Sequence, residues 1–244
     1  MDITTERVRI PVGRSEMGGY LARPKDAGSR PAVLVFMEIF GINSHIRDVT
    51  ERVAREGYVA LAPDYFHRTG PGVEYGYDEK GMAGGMKLLA QLKADEMIAD
   101  SQAAIAWLRG RKDVNGRIGA MGFCIGGHMT YLTACETDVA AAASFYGGGI
   151  AAPQGPGGAP STVSRTPKIR GKILCLFGQK DGLIPPAQVD AIRAALAKAG
   201  VKHEVVAYPD ADHGFFCDQR ATYQKSAADD AWKRVKGLFK SELE

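Results

Sequence analysis

The stretch Arg117-Ile118-Gly119-Ala120-Met121-Gly122-Phe123-Cys124-Ile125-Gly126-Gly127 decides the fold, and a helical pattern from 128 to 135 follows it. The run up to Gly122 reads as a strand buried on both faces, as in a parallel sheet. The chain must then turn at once into a helix. Such a turn strains the backbone of its central residue. Side chains two positions before and after would collide, and Gly122 and Gly126 remove them. Gly-x-Cys-x-Gly is G-x-S-x-G, a strand–turn–helix that presents a nucleophile, with Cys in place of Ser. It leaves the Cys124 thiol at a helix N-terminus, where free N–H groups stabilise a thiolate or an incoming oxyanion. Taken alone, the stretch also fits a small buried cysteine in a glycine-rich turn.

Outward from this turn, apolar runs alternate with helical patterns. Residues 7–12 and 17–23 read as a hairpin turning at Gly13-Arg14-Ser15. Further strands are expected over 32–37, 58–62, 140–146, 172–177 and 204–208. Helices are expected over 46–56, ended by Gly57, and over 95–109, where Met97, Ile98, Ile105 and Leu108 share a face. Val189, Ile192 and Leu196 mark a helix over 188–198, and Trp232, Val235 and Phe239 mark a closing one. The Gly-rich residues 70–85 read as an irregular loop with a short helix after it. Residues 147–170, rich in Gly, Pro, Ser and Thr, read as a long surface excursion. Strands alternating with helices imply right-handed crossovers. The expected fold is therefore α/β, a mostly parallel central sheet with helices on both faces. No linker divides the chain, so residues 1–244 are expected to form one domain.

Composition narrows the function. Of 244 residues, 45% are hydrophobic and 24% charged, enough apolar material for a large core. The net charge of +3, with no run of basic residues, speaks against nucleic acid. No apolar stretch of about 18 residues suggests a membrane span. The N-terminal residues lack an apolar signal core, so a cytoplasmic location is expected. Cys124, Cys135, Cys175 and Cys217 form no C-x-x-C pair, and H-E-x-x-H is absent. Neither a zinc site nor a disulfide framework is expected, and free thiols fit a reducing compartment. Gly147-Gly148-Gly149 lacks the Lys of a phosphate-binding loop.

Two further strand ends carry chemistry. Gly178-Gln179-Lys180-Asp181-Gly182-Leu183-Ile184-Pro185 follows one strand, and Pro209-Asp210-Ala211-Asp212-His213-Gly214-Phe215 follows the last. In an open parallel sheet the C-terminal loops share one edge. Nucleophile, acid and His then follow the chain order of this arrangement, as Cys124, Asp181 and His213. A helix cap at Asp181 and a plain loop histidine at 213 are the alternatives.

The chain resembles the dienelactone hydrolases (carboxymethylenebutenolidases) of the α/β-hydrolase superfamily over essentially its whole length. The residues that carry the resemblance are Met37-Glu38-Ile39-Phe40-Gly41-Ile42-Asn43, Ala62-Pro63-Asp64, Gly122 to Gly127, Ser144-Phe145-Tyr146-Gly147, Asp181 and His213-Gly214-Phe215. The resemblance implies hydrolysis of a small enol-lactone or simple ester through a cysteine acyl-enzyme, without metal or organic cofactor. It implies that Glu38 contacts Cys124, and that the backbone N–H groups of Ile39 and Ile125 form the oxyanion hole. A carboxylate ending a buried strand is costly unless paired or used, so a structural ion pair with Arg47 is the alternative for Glu38.

In the family pattern a basic residue soon after the catalytic His binds a substrate carboxylate. Here Phe215-Phe216-Cys217-Asp218-Gln219 follows, and the first candidate is Arg220, with Arg68 and Lys87 as others. Tyr146 and Phe215 are candidate substrate contacts. His45 and His67 read as polar loop residues, and His128 as helix surface or a satisfied core partner. The expected partner is a small lactone or ester, with no nucleic acid and no membrane. The oligomeric state stays open, a monomer included. A broad carboxylesterase or thioesterase with the same residues is the nearest alternative function. A non-catalytic binding module on the same fold is the more distant one.

Overall fold

The computed structural model describes residues 1–26 and 28–244. Its strands are β1 (Ile3–Val12), β2 (Ser15–Pro24), β3 (Arg30–Phe36), β4 (Val59–Pro63), β5 (Val114–Phe123), β6 (Ala141–Phe145), β7 (Lys172–Gly178) and β8 (His203–Tyr208). They form one eight-stranded sheet in the order β1-β2-β4-β3-β5-β6-β7-β8. The β1–β2 and β2–β4 pairs are antiparallel, and every later pair is parallel. The apolar runs in β3, β4 and β6 are buried almost throughout, as strands covered on both faces must be. The edge strand β1 carries exposed Glu6, Arg7 and Arg9, which discourage pairing with another chain.

The helices are α1 (Ser44–Arg55), α2 (Glu79–Leu89), α3 (Ala94–Arg109), α4 (Ile125–Glu136), α5 (Pro186–Lys198) and α6 (Lys225–Leu243). Strand order and crossover handedness place them. The β3-α1-β4 crossover runs one way across the sheet, while those through α3, α4 and α5 run the other way. Right-handed connections therefore put α1 on one face and α3, α4 and α5 on the opposite one. Helix α6 returns to the face of α1, where the Tyr58 and Phe239 rings meet at 5.9 Å. Hence the loops after β3, β5, β7 and β8 all open at one edge.

One expectation needs correction and another is refined. The helix in the Gly-rich stretch begins inside it, at Glu79, with Asp78 accepting from the Gly81 N–H at 2.7 Å. Gly81 and Gly85 form its buried face because it lies directly on backbone. A Cβ at Gly81 would stand 2.0 Å from the Gly76 carbonyl oxygen, and one at Gly85 2.6 Å from that of Ile39. The expected surface excursion over 147–170 does run largely along the surface, but part of it is packed. It holds two 3₁₀ turns, Pro156–Gly158 and Thr162–Lys168, and the second folds onto α4. Thr162 Oγ1 meets His128 Nε2 at 2.8 Å and Thr166 Oγ1 meets the Tyr131 hydroxyl at 2.6 Å, so this segment satisfies polar groups of the core.

Candidate active site

Cys124 stands between β5 and α4 with φ 58° and ψ −122°, a backbone state that costs a β-substituted residue about 1–3 kcal/mol. Its N–H donates to the Phe145 carbonyl at 3.1 Å, and its own carbonyl accepts from the His128 N–H at 3.1 Å. The flanking glycines are required by approach. A Cβ at Gly122 would stand 2.3 Å from the Gly126 carbonyl oxygen, and one at Gly126 2.4 Å from the carbonyl oxygens of Phe36 and Met37. The end of β3 thus lies directly against the turn. Ile125 is the first residue of α4, so its N–H has no acceptor within the helix. The Cys124 side chain is half-buried at this helix start.

Asp181 follows β7 and is buried. Its Oδ1 accepts from the Leu183 N–H at 2.8 Å, and its Oδ2 lies 2.8 Å from His213 Nδ1 in the loop after β8. Burial alone disfavours an imidazolium here. The Asp181 hydrogen bond, then the Cys124 thiol and the charges of both, outweigh it and push His213 up to about 10. The thiol acts on the ring without completing a well-formed bond, since the buried Nε2 has no hydrogen-bond partner.

Glu38, just past β3, is fully buried. Its Oε1 accepts from Arg220 Nη1 at 3.0 Å, while Oε2 has no partner. Gly214 makes room for this pair. It holds φ +82°, and a Cβ there would stand 2.4 Å from Arg220 Nη1. The Arg220 guanidinium also lies over the Phe40 and Tyr77 rings, at 5.9 and 5.7 Å. Phenols and a thiol crowd the carboxylate. Tyr65 is held well above the usual phenol range by burial, then by the charges of Cys124 and Glu38. Tyr146 is raised by burial, then by Glu38. Burial and the Glu38 charge push the Cys217 thiol up to about 11.

The sequence model of the dienelactone hydrolase family matches residues 17–243. A relative from Synechocystis sp., named "Putative carboxymethylenebutenolidase", is 48% identical over 100% of this chain and 99% of its own. One of the same name from Escherichia coli K12 is 35% identical over 95% of this chain and 84% of its own. The crystal structure of a "Putative Dienelactone Hydrolase" from Klebsiella pneumoniae matches with a TM-score of 0.90 at 33% identity, over 98% of this chain and 99% of that one. The chain belongs to the dienelactone hydrolase family. It is a lactone or ester hydrolase with the α/β-hydrolase fold. An acylaminoacyl peptidase from Pyrococcus horikoshii, at 14% identity and a TM-score of 0.76, shares the fold alone.

In this hydrolase the other candidates separate. Arg220 is at the site, but Arg47 is not the partner of Glu38. It bonds the Ile42 carbonyl at 2.7 Å and Glu74 at 2.5 Å. Arg68 grips Asp100 through two contacts of 2.8 Å, so its charge is already matched. Lys87 is exposed in the last turn of α2. Tyr146 is fully buried, with φ 37° and its ring 5.1 Å from that of His213. Phe215 is fully buried among Phe145, Tyr146 and Tyr208, so it backs the site and offers a ligand no surface. His45 is not a loop residue. It lies in α1, fully buried against the Phe123 and Phe216 rings, and burial lowers its pKa. His128 is a satisfied core partner, with the Gly148 carbonyl at 2.8 Å on its second nitrogen. Tyr65, Tyr77 and Cys217 were not expected at Glu38. Tyr77 and Cys217 lie in irregular loops, where no periodicity marks a shared face. No helix is long and apolar enough to cross a membrane among the described residues.

Proposed function

We propose that this hydrolase opens a small lactone or carboxylic ester through a Cys124–His213–Asp181 triad and a thioester on Cys124. The observation that supports it most is the 2.8 Å Asp181–His213 contact, facing a cysteine at the start of α4. Asp181 fixes the ring with Nδ1–H toward itself and Nε2 toward the thiol. The raised pKa of His213 favours an imidazolium beside a thiolate. Sγ attacks the carbonyl carbon, and the carbonyl electron pair moves onto oxygen. The N–H groups of Ile39 and Ile125 would hold that oxyanion, where losing one such donor costs about 3–4 kcal/mol of barrier. Collapse breaks the C–O bond, and His213 Nε2–H protonates the departing oxygen, which in a lactone stays tethered to the acyl group. Water then gives a proton to His213 and attacks the thioester. The C–S bond breaks, and the thiolate and imidazolium are restored.

Glu38 opposes the thiolate by like charge, and Arg220 offsets it by holding the carboxylate. Glu38 thereby weakens the thiolate–imidazolium pair until substrate shifts the carboxylate. Mass spectrometry of the enzyme quenched during lactone and ester turnover tests the central step. An acyl adduct on Cys124 is expected, and Cys124→Ala should be inactive yet folded. Wild-type turnover by that variant would overturn the reading.

A further inference from the structure

The two N–H groups proposed to hold the oxyanion come from separate segments, Ile39 from the chain after β3 and Ile125 from the first residue of α4. Both donors must stand about 2.7–3.1 Å from the place where the charge develops, so one segment has to be fixed against the other. Strand pairing does not reach that far. The ladder between β3 and β5 ends at Phe36 and Gly122, short of both donors. The segments meet instead at the Met37 carbonyl. It lies so close to Gly126, the neighbour of Ile125, that a Cβ there would stand 2.4 Å from its oxygen. The Met37–Glu38 peptide also adjoins the Glu38–Ile39 peptide, which carries the Ile39 N–H.

Tyr65, just past β4, reaches this carbonyl. Its hydroxyl donates to the Met37 carbonyl oxygen at 2.6 Å, and the pair is buried. Its ring lies 6.4 Å from that of Phe36 and 5.1 Å from that of Phe66, in a packed setting that leaves it little room to swing. A phenol has one proton to donate, and here the backbone takes it, so neither the thiol nor the substrate can. Burial and the charges of Cys124 and Glu38 hold this phenol well above its usual range, so it stays a donor. We propose that Tyr65 is a positioning residue for the oxyanion hole: its hydroxyl holds the Met37 carbonyl, and with it the Ile39 N–H, at the spacing from α4 that the tetrahedral intermediate needs. This rests on the catalytic reading above and adds a residue that acts only through backbone. Without the hydroxyl, a buried carbonyl loses its donor and is free to turn. The loss should appear only in steps that build charge on the substrate's carbonyl oxygen.

The test applies three measurements to Tyr65→Phe. Its kcat/KM for p-nitrophenyl acetate should fall about tenfold, less than the roughly 10²–10³ that losing a whole donor costs. Affinity for phenethyl trifluoromethyl ketone should fall by about the same factor, because its carbonyl carbon takes Cys124 Sγ and its oxygen becomes an oxyanion in the hole. Alkylation of Cys124 by iodoacetamide, a displacement that creates no oxyanion, should stay within about twofold of wild type and so show an intact Cys124 turn. Turnover and ketone affinity both at wild-type levels would overturn the proposal. So would labelling that falls in step with turnover, since the hydroxyl would then serve the thiol or the fold as a whole. The ketone separates this failure from failure of the catalytic reading. If the wild type captures it on Cys124 and Tyr65→Phe captures it equally well, only the role of Tyr65 falls. If Cys124→Ala binds it as tightly as the wild type does, no cysteine adduct forms and both readings fall.

Discussion

Two histidine–aspartate contacts in this molecule look alike and have different surroundings. His213 Nδ1 lies 2.8 Å from Asp181, and His67 Nε2 lies 3.2 Å from Asp100. Both carboxylates are buried. The difference is what else shares them. Asp100 already holds the Arg68 guanidinium through both oxygens, so its charge is matched before His67 reaches it. Asp181 spends its other oxygen on a neutral backbone N–H, and its charge falls on His213. His213 also has a thiol near its ring. The pair alone does not define a proton relay. On the proposed reading, a carboxylate with no other cation and a thiol near the ring do.

The largest expected effects test that contrast directly. His213→Ala and Asp181→Asn should each lower kcat/KM by about 10³–10⁴, the latter by releasing the wrong tautomer. The double variant should be scarcely worse than His213→Ala, because both disable one relay. His67→Ala should leave kcat/KM within about twofold. Asp100→Asn should instead cost stability, about 3 kcal/mol by urea denaturation, because Arg68 loses a partner that is almost fully buried. A collapse of turnover in folded His67→Ala would erase the distinction.

Next in size is the pH dependence of stability. The His213 pKa is raised on folding, from 6.5 to about 10. Its pairing therefore stabilises the fold fully below about pH 6.5, and the gain is lost as pH rises through about 10. The full gain is up to about 4–5 kcal/mol. Urea midpoints between pH 6 and 10 should fall more steeply in the wild type than in Asp181→Asn. His67→Ala should keep the wild-type slope. Parallel curves for wild type and Asp181→Asn would show that Asp181 does not hold the imidazolium.

Much of this was legible in the sequence for a local reason. β3 and β5 are continuous apolar runs, and turn residues punctuate their ends, so Cys124, Asp181 and His213 could be placed at strand ends without knowing any contact. What failed was non-local. Glu38 and Arg220 are 182 residues apart, and their meeting depends on the left-handed turn at Gly214. Arg47, only nine positions from Glu38, looked the nearer partner because Glu74 had no visible reason to claim it. The glycines of α2 looked like loop residues because composition does not distinguish flexibility from close packing. Thr162 and Thr166 looked like surface for a similar reason, because their hydroxyls are satisfied by α4, a helix far back in the chain.

The smallest expected effect concerns a third carboxylate, intermediate between the two compared above. Glu38 gives one oxygen to Arg220 and leaves the other unpaired, so its charge is only partly matched. Tyr65 feels both Glu38 and Cys124, so both lie near one phenol. A carboxylate near the thiol disfavours its thiolate by like-charge repulsion, and the Arg220 cation cancels part of that. Glu38→Gln should then lower the pKa that governs alkylation of Cys124 and speed iodoacetamide labelling at neutral pH by about tenfold. Arg220→Met should slow it, because the carboxylate charge is no longer offset. Lactone turnover should fall in Glu38→Gln, because the group that shifts with substrate is gone. If labelling shifts in neither variant but turnover falls in both, Glu38 and Arg220 act by shape. In that case Glu38 would resemble Asp100, a carboxylate whose charge is fully matched within the fold, and His213 alone would activate the thiol.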